Sequence, residues 1–371
     1  MQHKLTTRTF ALLATTSNGD KTMADIDISE TSMLLEYQEK NGANRVVSNL
    51  LKDHTTQQNI YWATDSYAHL GDGYAFYDPI TIEKITGENE GVIRPRSLKH
   101  KKEQAQRSKD KAEVFTPSWV CNEQNNLIDE AWFGRKHVFN REIIEGGLHS
   151  WETNFDKVVF PDAPNKTWKD YVAEPRLEMA CGEAPYLVSR YDSVTGKKIE
   201  DVNRRIGLLD RKLRIVSENT DNTTDWLLWA KIAMRSTYGF EWQGDNLLLA
   251  REALFYSFME HYEARFGARI TNAYKRMFMP SVAYIISWNI WQMDGLTYGL
   301  PGHKVREGSK PRQTAMFVEE QHEPVKPNEK LCRVKDFFIT KDIHSEKLSK
   351  KTFKDQLAPT ITFKSLVSKS F

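Results

Sequence analysis

The stretch from Pro175 to Leu187 (PRLEMACGEAPYL) constrains this chain more than any other. An acidic residue, Glu178, leads into Met179, Ala180, Cys181 and Gly182, then Glu183, Ala184 and the aromatic Tyr186. Small residues let backbone approach a ligand closely, because a Cβ or larger group would collide with it. A tight turn between a strand and a helix also wants small residues, so the stretch alone admits either reading. Its neighbours decide between them.

Three further segments carry chemistry-bearing residues in a fixed order. Glu113 to Val120 (EVFTPSWV) precedes an amphipathic pattern running through Asn122 to Trp132. Thr116 or Ser118 can cap that helix and Pro117 suits its first turn, which would account for these residues without any ligand. Tyr238 to Asn246 (YGFEWQGDN) reads as a strand opening a long helix from Leu247 to Phe266, with Asp245 near the positive helix start. Tyr284 to Gly295 (YIISWNIWQMDG) reads as a third strand-to-helix unit. The three expected strand ends deliver Glu178, Glu241 and Asp294. In an open sheet a ligand sits beyond the carboxyl ends of the strands, where these carboxylates would converge.

That convergence suggests roles. The Gly182 turn would cradle the polar end of a cofactor, Glu241 would accept ribose hydroxyls, and Asp294 would receive an adenine amine. A dinucleotide fingerprint wants three glycines for a pyrophosphate, whereas this turn supplies Gly182 and Ala184, with Glu183 repelling a pyrophosphate. The ammonium and sulfonium charges of S-adenosylmethionine suit it better.

With 371 residues the chain holds one large domain or two ordinary ones. Its 40% hydrophobic and 27% charged residues indicate a folded protein rather than a disordered one. Net charge is only +2, so a nucleic-acid surface would need local segregation of charge. One such shift exists. Arg94 to Lys111 holds eight basic residues against two acidic, and reads either as a solvated helix or as a phosphate-contacting segment through Lys99, Lys101, Lys102 and Arg107. Three scattered cysteines (Cys121, Cys181, Cys332) give no disulfide framework and no zinc spacing, and fit a reducing cytoplasm. No apolar run reaches the length of a membrane span, so no membrane association is expected.

The expected organisation is a disordered leader over 1–22 and a helical and aromatic region over 23–112. An α/β domain follows over 113–303, then a Lys-rich extension over 304–371. Within the second region, 27–53 has helical periodicity and 59–87 reads as strands and turns. Gly146 and Gly147 mark a linker, and a helix should follow from Pro185 to about Arg190. Ile206 to Val216 and Trp226 to Met234 have helical spacing. The last strand-like pieces are Cys332 to Ile339 and Thr360 to Leu366.

The four segments together resemble the adenine-specific DNA methyltransferases of restriction–modification systems. Val114, Phe115, Thr116 and Pro117 are similar to the family's Phe-Thr-Pro element. Glu178 to Ala184 resembles its Asp-Pro-Ala-Cys-Gly-Thr-Gly turn. Tyr238 to Glu241, followed by Leu248 to Arg251, resembles the strand with its ribose-binding acid and the next helix. Asn289 to Leu296 resembles its Asn-Ile-Xaa-Xaa-Gly-Asp-Ala-Leu element. The matches run in the family's order over about half of the chain. Gly182 and Glu241 lie farther apart than in a usual strand-helix-strand unit, implying inserted helices around 193–235.

The resemblance implies a Rossmann-like open α/β sheet of the class I S-adenosylmethionine-dependent methyltransferase type, behind a helix-rich N-terminal region. It implies S-adenosylmethionine as cofactor, held by Phe115, Thr116, Pro117, Glu178, Ala180, Cys181, Gly182, Ala184, Glu241, Trp242 and Asp294. It implies double-stranded DNA as partner, with a restriction or specificity subunit beside it, and methyl transfer to the amine of a flipped-out adenine. The family's Asn/Asp-Pro-Pro-Tyr/Phe loop is missing, since the chain holds no Pro-Pro pair. Gly299 to His303 occupies about that region without an acceptor or aromatic. A non-catalytic module binding cofactor or DNA is therefore the alternative. Blander roles are also open: Glu178 closing its own turn, Cys181 as a small buried filler, and Trp288 and Trp291 as core.

Overall fold

The computed structural model describes residues 45–99, 101–111, 116–193, 195–267, 278–301, 331–337 and 358–370. The expected leader, most of the helix expected before Asp53, and Phe115 lie outside these residues. The N-terminal part carries α1 (Val46–Leu51), α2 (Ile82–Ile85), α3 (Lys101–Lys111) and α4 (Ser118–Phe133). A hairpin of β1 (Asn140–Glu145) and β2 (Leu148–Thr153) follows, then α5 (Trp168–Ala173) and β3 (Arg176–Glu178). Next come α6 (Leu208–Asn219), α7 (Thr223–Arg235), β4 (Thr237–Glu241), α8 (Gly244–Phe266), α9 (Phe278–Asn289) and β5 (Ile290–Gln292). The last elements are β6 (Arg333–Lys335), β7 (Thr360–Thr362) and α10 (Phe363–Ser370).

Local chemistry explains where the principal helices begin and end. The Asn222 side chain accepts from the Asp225 amide to start α7, and Thr167 with Asp170 closes a reciprocal capping box on α5. Asp245 sits in the first turn of α8, opposite the helix dipole's positive end, and Gly267 at φ 65° terminates that helix in a left-handed cap. α4 starts differently from expectation. Pro117 occupies the cap position and no side chain caps the helix; the Ser118 hydroxyl accepts from the Ser193 amide instead.

The architecture is an α/β fold on a parallel sheet in the order β3-β4-β5. Parallel neighbours need crossovers, and these are helical: α6 and α7 lie between β3 and β4, α8 and α9 between β4 and β5. The inserted helices expected around 193–235 are thus real. All three strands finish at the same edge, with Glu178 beside Gly239 and Glu241 beside Gln292.

Every residue of β4 is buried. Tyr238 and Phe240, with Trp291 and Met293, pack against Val334, Phe363 and Leu366 of the C-terminal elements. Ile290 joins the larger core that includes Leu248, Leu254 and Ile286. A Cβ at Gly239 would stand 3.2 Å from the Cys181 sulfur, so glycine there lets the turn after β3 settle against β4. Each large apolar side chain fully withdrawn from water contributes roughly 1.5–3 kcal/mol.

The N-terminal segment is sewn to this sheet by two polar side chains. Arg251 of α8 is fully buried and donates to four backbone carbonyls: Ile290 at 2.7 Å, Leu50 at 2.6 Å, Lys52 at 3.0 Å and Ser287 at 3.1 Å. Gln292 exchanges two bonds of 2.9 Å with the backbone of Tyr61 and donates to the Trp242 carbonyl at 2.7 Å. A Cβ at Gly244 would overlap the Tyr61 carbonyl oxygen, so glycine at the start of α8 is a steric requirement of that approach.

Several expectations need correction. Gly146 (φ 57°) and Gly147 (φ 81°) turn the β1–β2 hairpin; both φ values suit a primed hairpin turn and mark no linker. No helix forms from Pro185 to Arg190, because the Tyr186 and Ser189 amides are taken by the Glu178 and Asp210 carboxylates. Tyr284 to Asn289 is helix, not strand, and strand pairing covers Ile290–Gln292 alone. Asp294 is therefore two residues beyond the strand, in a turn with no following helix among the described residues. The region 59–87 forms isolated bridges and short helical turns rather than strands. Thr360–Leu366 is strand only to Thr362. Among the described residues no helix is long and apolar enough to cross a membrane.

Candidate functional site

β3 ends at Glu178 and the chain turns back on itself through Ala180 (φ 48°), Gly182 (φ 54°) and Ala184 (φ 62°). Left-handed backbone costs an alanine conformational energy that glycine avoids. Neighbouring contacts hold it in place. The Cys181 amide donates to the Phe240 carbonyl at 2.8 Å, and the Gly182 amide donates to Glu241 Oε2 at 2.9 Å. The turn is therefore fastened to the end of the next strand by a side chain, 59 residues farther along.

Two buried carboxyls define the floor of the site. Glu178 Oε1 accepts from the Tyr186 amide at 3.4 Å, while Oε2 is buried with no hydrogen-bond partner among the described residues. Burial pushes the Glu178 carboxyl well above its ordinary range; the Tyr186 and Leu187 amides pull the other way, and the Glu241 charge adds to the rise. Glu241 accepts from Gly182 through Oε2 and from the Gln243 amide at 3.1 Å through Oε1. Burial raises it to about 7 in spite of those amides. An ionised carboxylate offers about four acceptor positions, so two of those on Glu241 are used by the protein itself.

Thr116 belongs to the same cluster. Its side chain lies against the Tyr186 hydroxyl, and its carbonyl accepts from the Ser193 hydroxyl at 2.8 Å. Cys121, one turn into α4, feels both burial and the Glu178 charge and is pushed up to about 12. Cys181 is buried and likewise held well above its ordinary range, first by burial. Both thiols are small apolar fillers rather than nucleophiles. Met179 at the turn and Leu296 beyond β5 are exposed apolar residues near this edge of the sheet. Trp242 is half-buried and 6.3 Å from Phe76.

The structure thus brings together Thr116, Pro117, Glu178, Ala180, Cys181, Gly182, Ala184, Glu241 and Trp242 around one edge, and leaves Asp294 apart in contact terms. Asp294 Oδ1 accepts from the Leu296 amide at 2.7 Å and the Thr297 amide at 3.0 Å, shaping its own turn. Glu183 is not turned toward a ligand's cation: its Oε1 accepts from the Arg96 amide at 2.7 Å.

The basic segment differs most from expectation. Lys99 and Arg107 are buried, and both face Asp245, at 3.6 and 2.8 Å. Burial alone would raise the Asp245 carboxyl, but the two cations reverse that and hold it below the usual range. Tyr67 adds a 2.8 Å hydrogen bond to the same oxygen. These two cations are therefore not on a phosphate-facing surface in this conformation, whereas Lys101 is exposed. Lys102 lies on α3 between them.

Sequence reading passed over Tyr67, Arg96, Gln243 and Gln292, all of which touch the site's loops. None carries a local signal, because each meets its partner across more than 80 residues of chain. Among the described residues no group of histidine, cysteine and carboxylate side chains could hold a metal ion. Comparison with protein-family models, curated proteins and solved structures finds no match to this chain.

Proposed function

We propose that the chain is an S-adenosylmethionine-dependent DNA adenine N6-methyltransferase, or the modification subunit of a restriction–modification system, with the sheet as its Rossmann-like cofactor platform. The observation that carries this reading is the unpartnered Glu178 Oε2, buried at the end of a parallel strand beside the Gly182 turn. A buried carboxyl oxygen without a donor is costly unless a ligand supplies one. The parallel order β3-β4-β5, with its carboxyl ends on one edge, is where an open α/β sheet binds its ligand.

The residues fit the cofactor's polar half. Glu178 would take the ammonium end through Oε2, and Gly182 with the two alanines would let backbone lie close to it. Glu241 retains two acceptor positions for ribose hydroxyls, and Trp242 follows it in the chain with a half-buried ring. When bound, the cofactor supplies an electrophilic methyl group. The protein's part is to hold that group in line with an adenine amine and to keep water away from it. Cofactor contacts would also relieve the two raised carboxyls, because hydrogen-bond donors and positive charge favour the ionised form.

A second reading is favoured by the missing Pro-Pro loop: a module that binds cofactor or DNA without transferring a methyl group. Titration calorimetry with S-adenosylmethionine tests the shared core of both. Binding that is lost in Glu178→Gln is expected, and no binding at millimolar cofactor would overturn the methyltransferase reading and the cofactor-binding form of the module. Mass spectrometry of DNA from cells expressing the protein then separates them. N6-methyladenine is expected from the enzyme, and its absence despite confirmed cofactor binding leaves the module.

A further inference from the structure

The segment from Arg94 to Lys99, together with α3, makes contacts with both loops of the candidate site. At one end the Arg96 amide donates to Glu183 Oε1 at 2.7 Å, between Gly182 and Ala184. At the other, Arg107 Nη2 donates to Asp245 Oδ2 at 2.8 Å and to Gln243 Oε1 at 3.3 Å, just beyond Glu241. The segment is braced internally. Gln104 Nε2 donates to the Arg96 and Lys99 carbonyls at 2.8 Å each, and Arg96 Nη2 reaches the Ser108 hydroxyl at 3.2 Å. It is therefore braced as one piece, tied across the two loops that Glu241 itself joins.

Its anchor is incompletely hydrogen-bonded. Lys99 Nζ is buried at 3.6 Å from Asp245 and makes no hydrogen bond among the described residues. A buried charge that is paired but not hydrogen-bonded recovers only part of its desolvation cost. Such a contact can be exchanged for solvent far more cheaply than a well-packed apolar one. α3 reinforces this, since it is charged along its length, with Lys101, Glu103 and Lys109 exposed.

We propose that this segment is a latched strap: Asp245 and Tyr67 hold it shut across the carboxyl edge of the sheet, and its release controls access of a nucleoside-type ligand to the Gly182 turn. The basic run then serves the site by covering it, with Lys99 and Arg107 as the bolt. The identity of the ligand rests on the function proposed above; the latch itself does not.

Hydrogen exchange read by mass spectrometry on the full-length protein without ligand tests the latch. In Arg107→Gln, peptides covering 101–111 and 179–187 are expected to exchange at least about tenfold faster together, as loss of one charge-assisted bond implies. Tyr67→Phe removes one bond from Asp245 and leaves both cations in place, which guards against a folding defect; it should shift both peptides in the same direction by less. Lys101→Gln makes the same charge change at an exposed position and should shift neither. Faster exchange over 101–111 with an unchanged 179–187 would overturn the proposal, as would equal effects of Lys101→Gln and Arg107→Gln. Stopped-flow binding of S-adenosylhomocysteine forms the second arm, in which Arg107→Gln should associate at least about tenfold faster than the native chain. If neither protein binds this probe, the cofactor reading fails, while the two exchange peptides still decide whether the strap covers the turn.

Discussion

Replacing Glu241 by glutamine should shift stability toward the variant as the pH rises. Its carboxyl is raised by burial from 4.5 to about 7. Between those values the folded chain keeps a proton on Glu241 that the unfolded chain has released. Stability from this group is thus complete below about pH 4.5 and is lost as the pH climbs through 7. At 1.36 kcal/mol per pH unit the loss totals roughly 3 kcal/mol. Glutamine carries no such cost. At pH 4.5 it falls below the protonated acid by about 1–3 kcal/mol, because its one oxygen accepts from only one of the Gly182 and Gln243 amides and its NH2 faces the other. The measurement is the urea midpoint of both proteins from pH 4.5 to 8, compared as a difference at each pH. The difference is essential because other groups oppose the trend. Burial holds His54 down to about 2 and lowers His261, so both lose stability as the pH falls below 6.5, with the opposite slope. Glu178 shares the sign of Glu241 and should retain some slope in the variant. A difference between the two proteins that stays constant within about 1 kcal/mol across the range would refute the reasoning. Saturating cofactor, on the proposed function, should flatten the native curve by favouring the carboxylate.

Three other substitutions probe how the site is supported. Arg251→Met strips donors from four interior carbonyls at about 1 kcal/mol or more each, so denaturation should reveal a loss of roughly 4 kcal/mol. Amides of α1 should exchange fastest in that variant, and an unchanged midpoint would remove Arg251 from this role. Gly244→Ala sets a methyl group against the Tyr61 carbonyl, a backbone atom that cannot rotate away, and should cost about 1–3 kcal/mol in thermal unfolding. Glu260 pairs with Arg190 and Arg205 at 2.7 Å each. Burial would raise its carboxyl, but those cations hold it down to about 2, so its contribution is present above pH 4.5 and fades as acid is added. Glu260→Gln should abolish that acid dependence and speed tryptic cleavage beside Arg190 and Arg205; native-like cleavage would count against the ion pairs as the fastening of these two residues.

Local patterns predicted the elements whose signals are local. Leu209, Leu213 and Val216 lie at helical spacing and bury one face of α6; Gly267 ends α8 where the periodicity stops. The small residues after Glu178 did announce a turn at a strand end, and the order Thr116, Glu178, Glu241 does correspond to one cluster in space. The errors share a cause. Tyr284 to Asn289 is rich in apolar and aromatic residues, which short windows cannot assign to strand or helix. Asn289 settles it by donating to the Met234, Arg235 and Thr237 carbonyls, contacts more than 50 residues away.

Residue types and spacing by themselves determined that this chain alternates strands and helices, carries a sterically open turn at Gly182, and places carboxylates after two strands. They could not determine what those charges face. Lys99 and Arg107 look like solvent cations because a charge run is read without its partner, and Asp245 lies more than 130 residues farther on. Glu183 likewise looks free until Arg96 is folded onto it, and nothing local announces that the Gly182 amide donates to a Glu241 oxygen. Backbone propensity and hydrophobic period act over a few residues, whereas burial and ion pairing depend on which distant segments meet. The turn is therefore written in the sequence; that a basic segment is tied to it, through Arg96 on Glu183, was decided only by the tertiary structure.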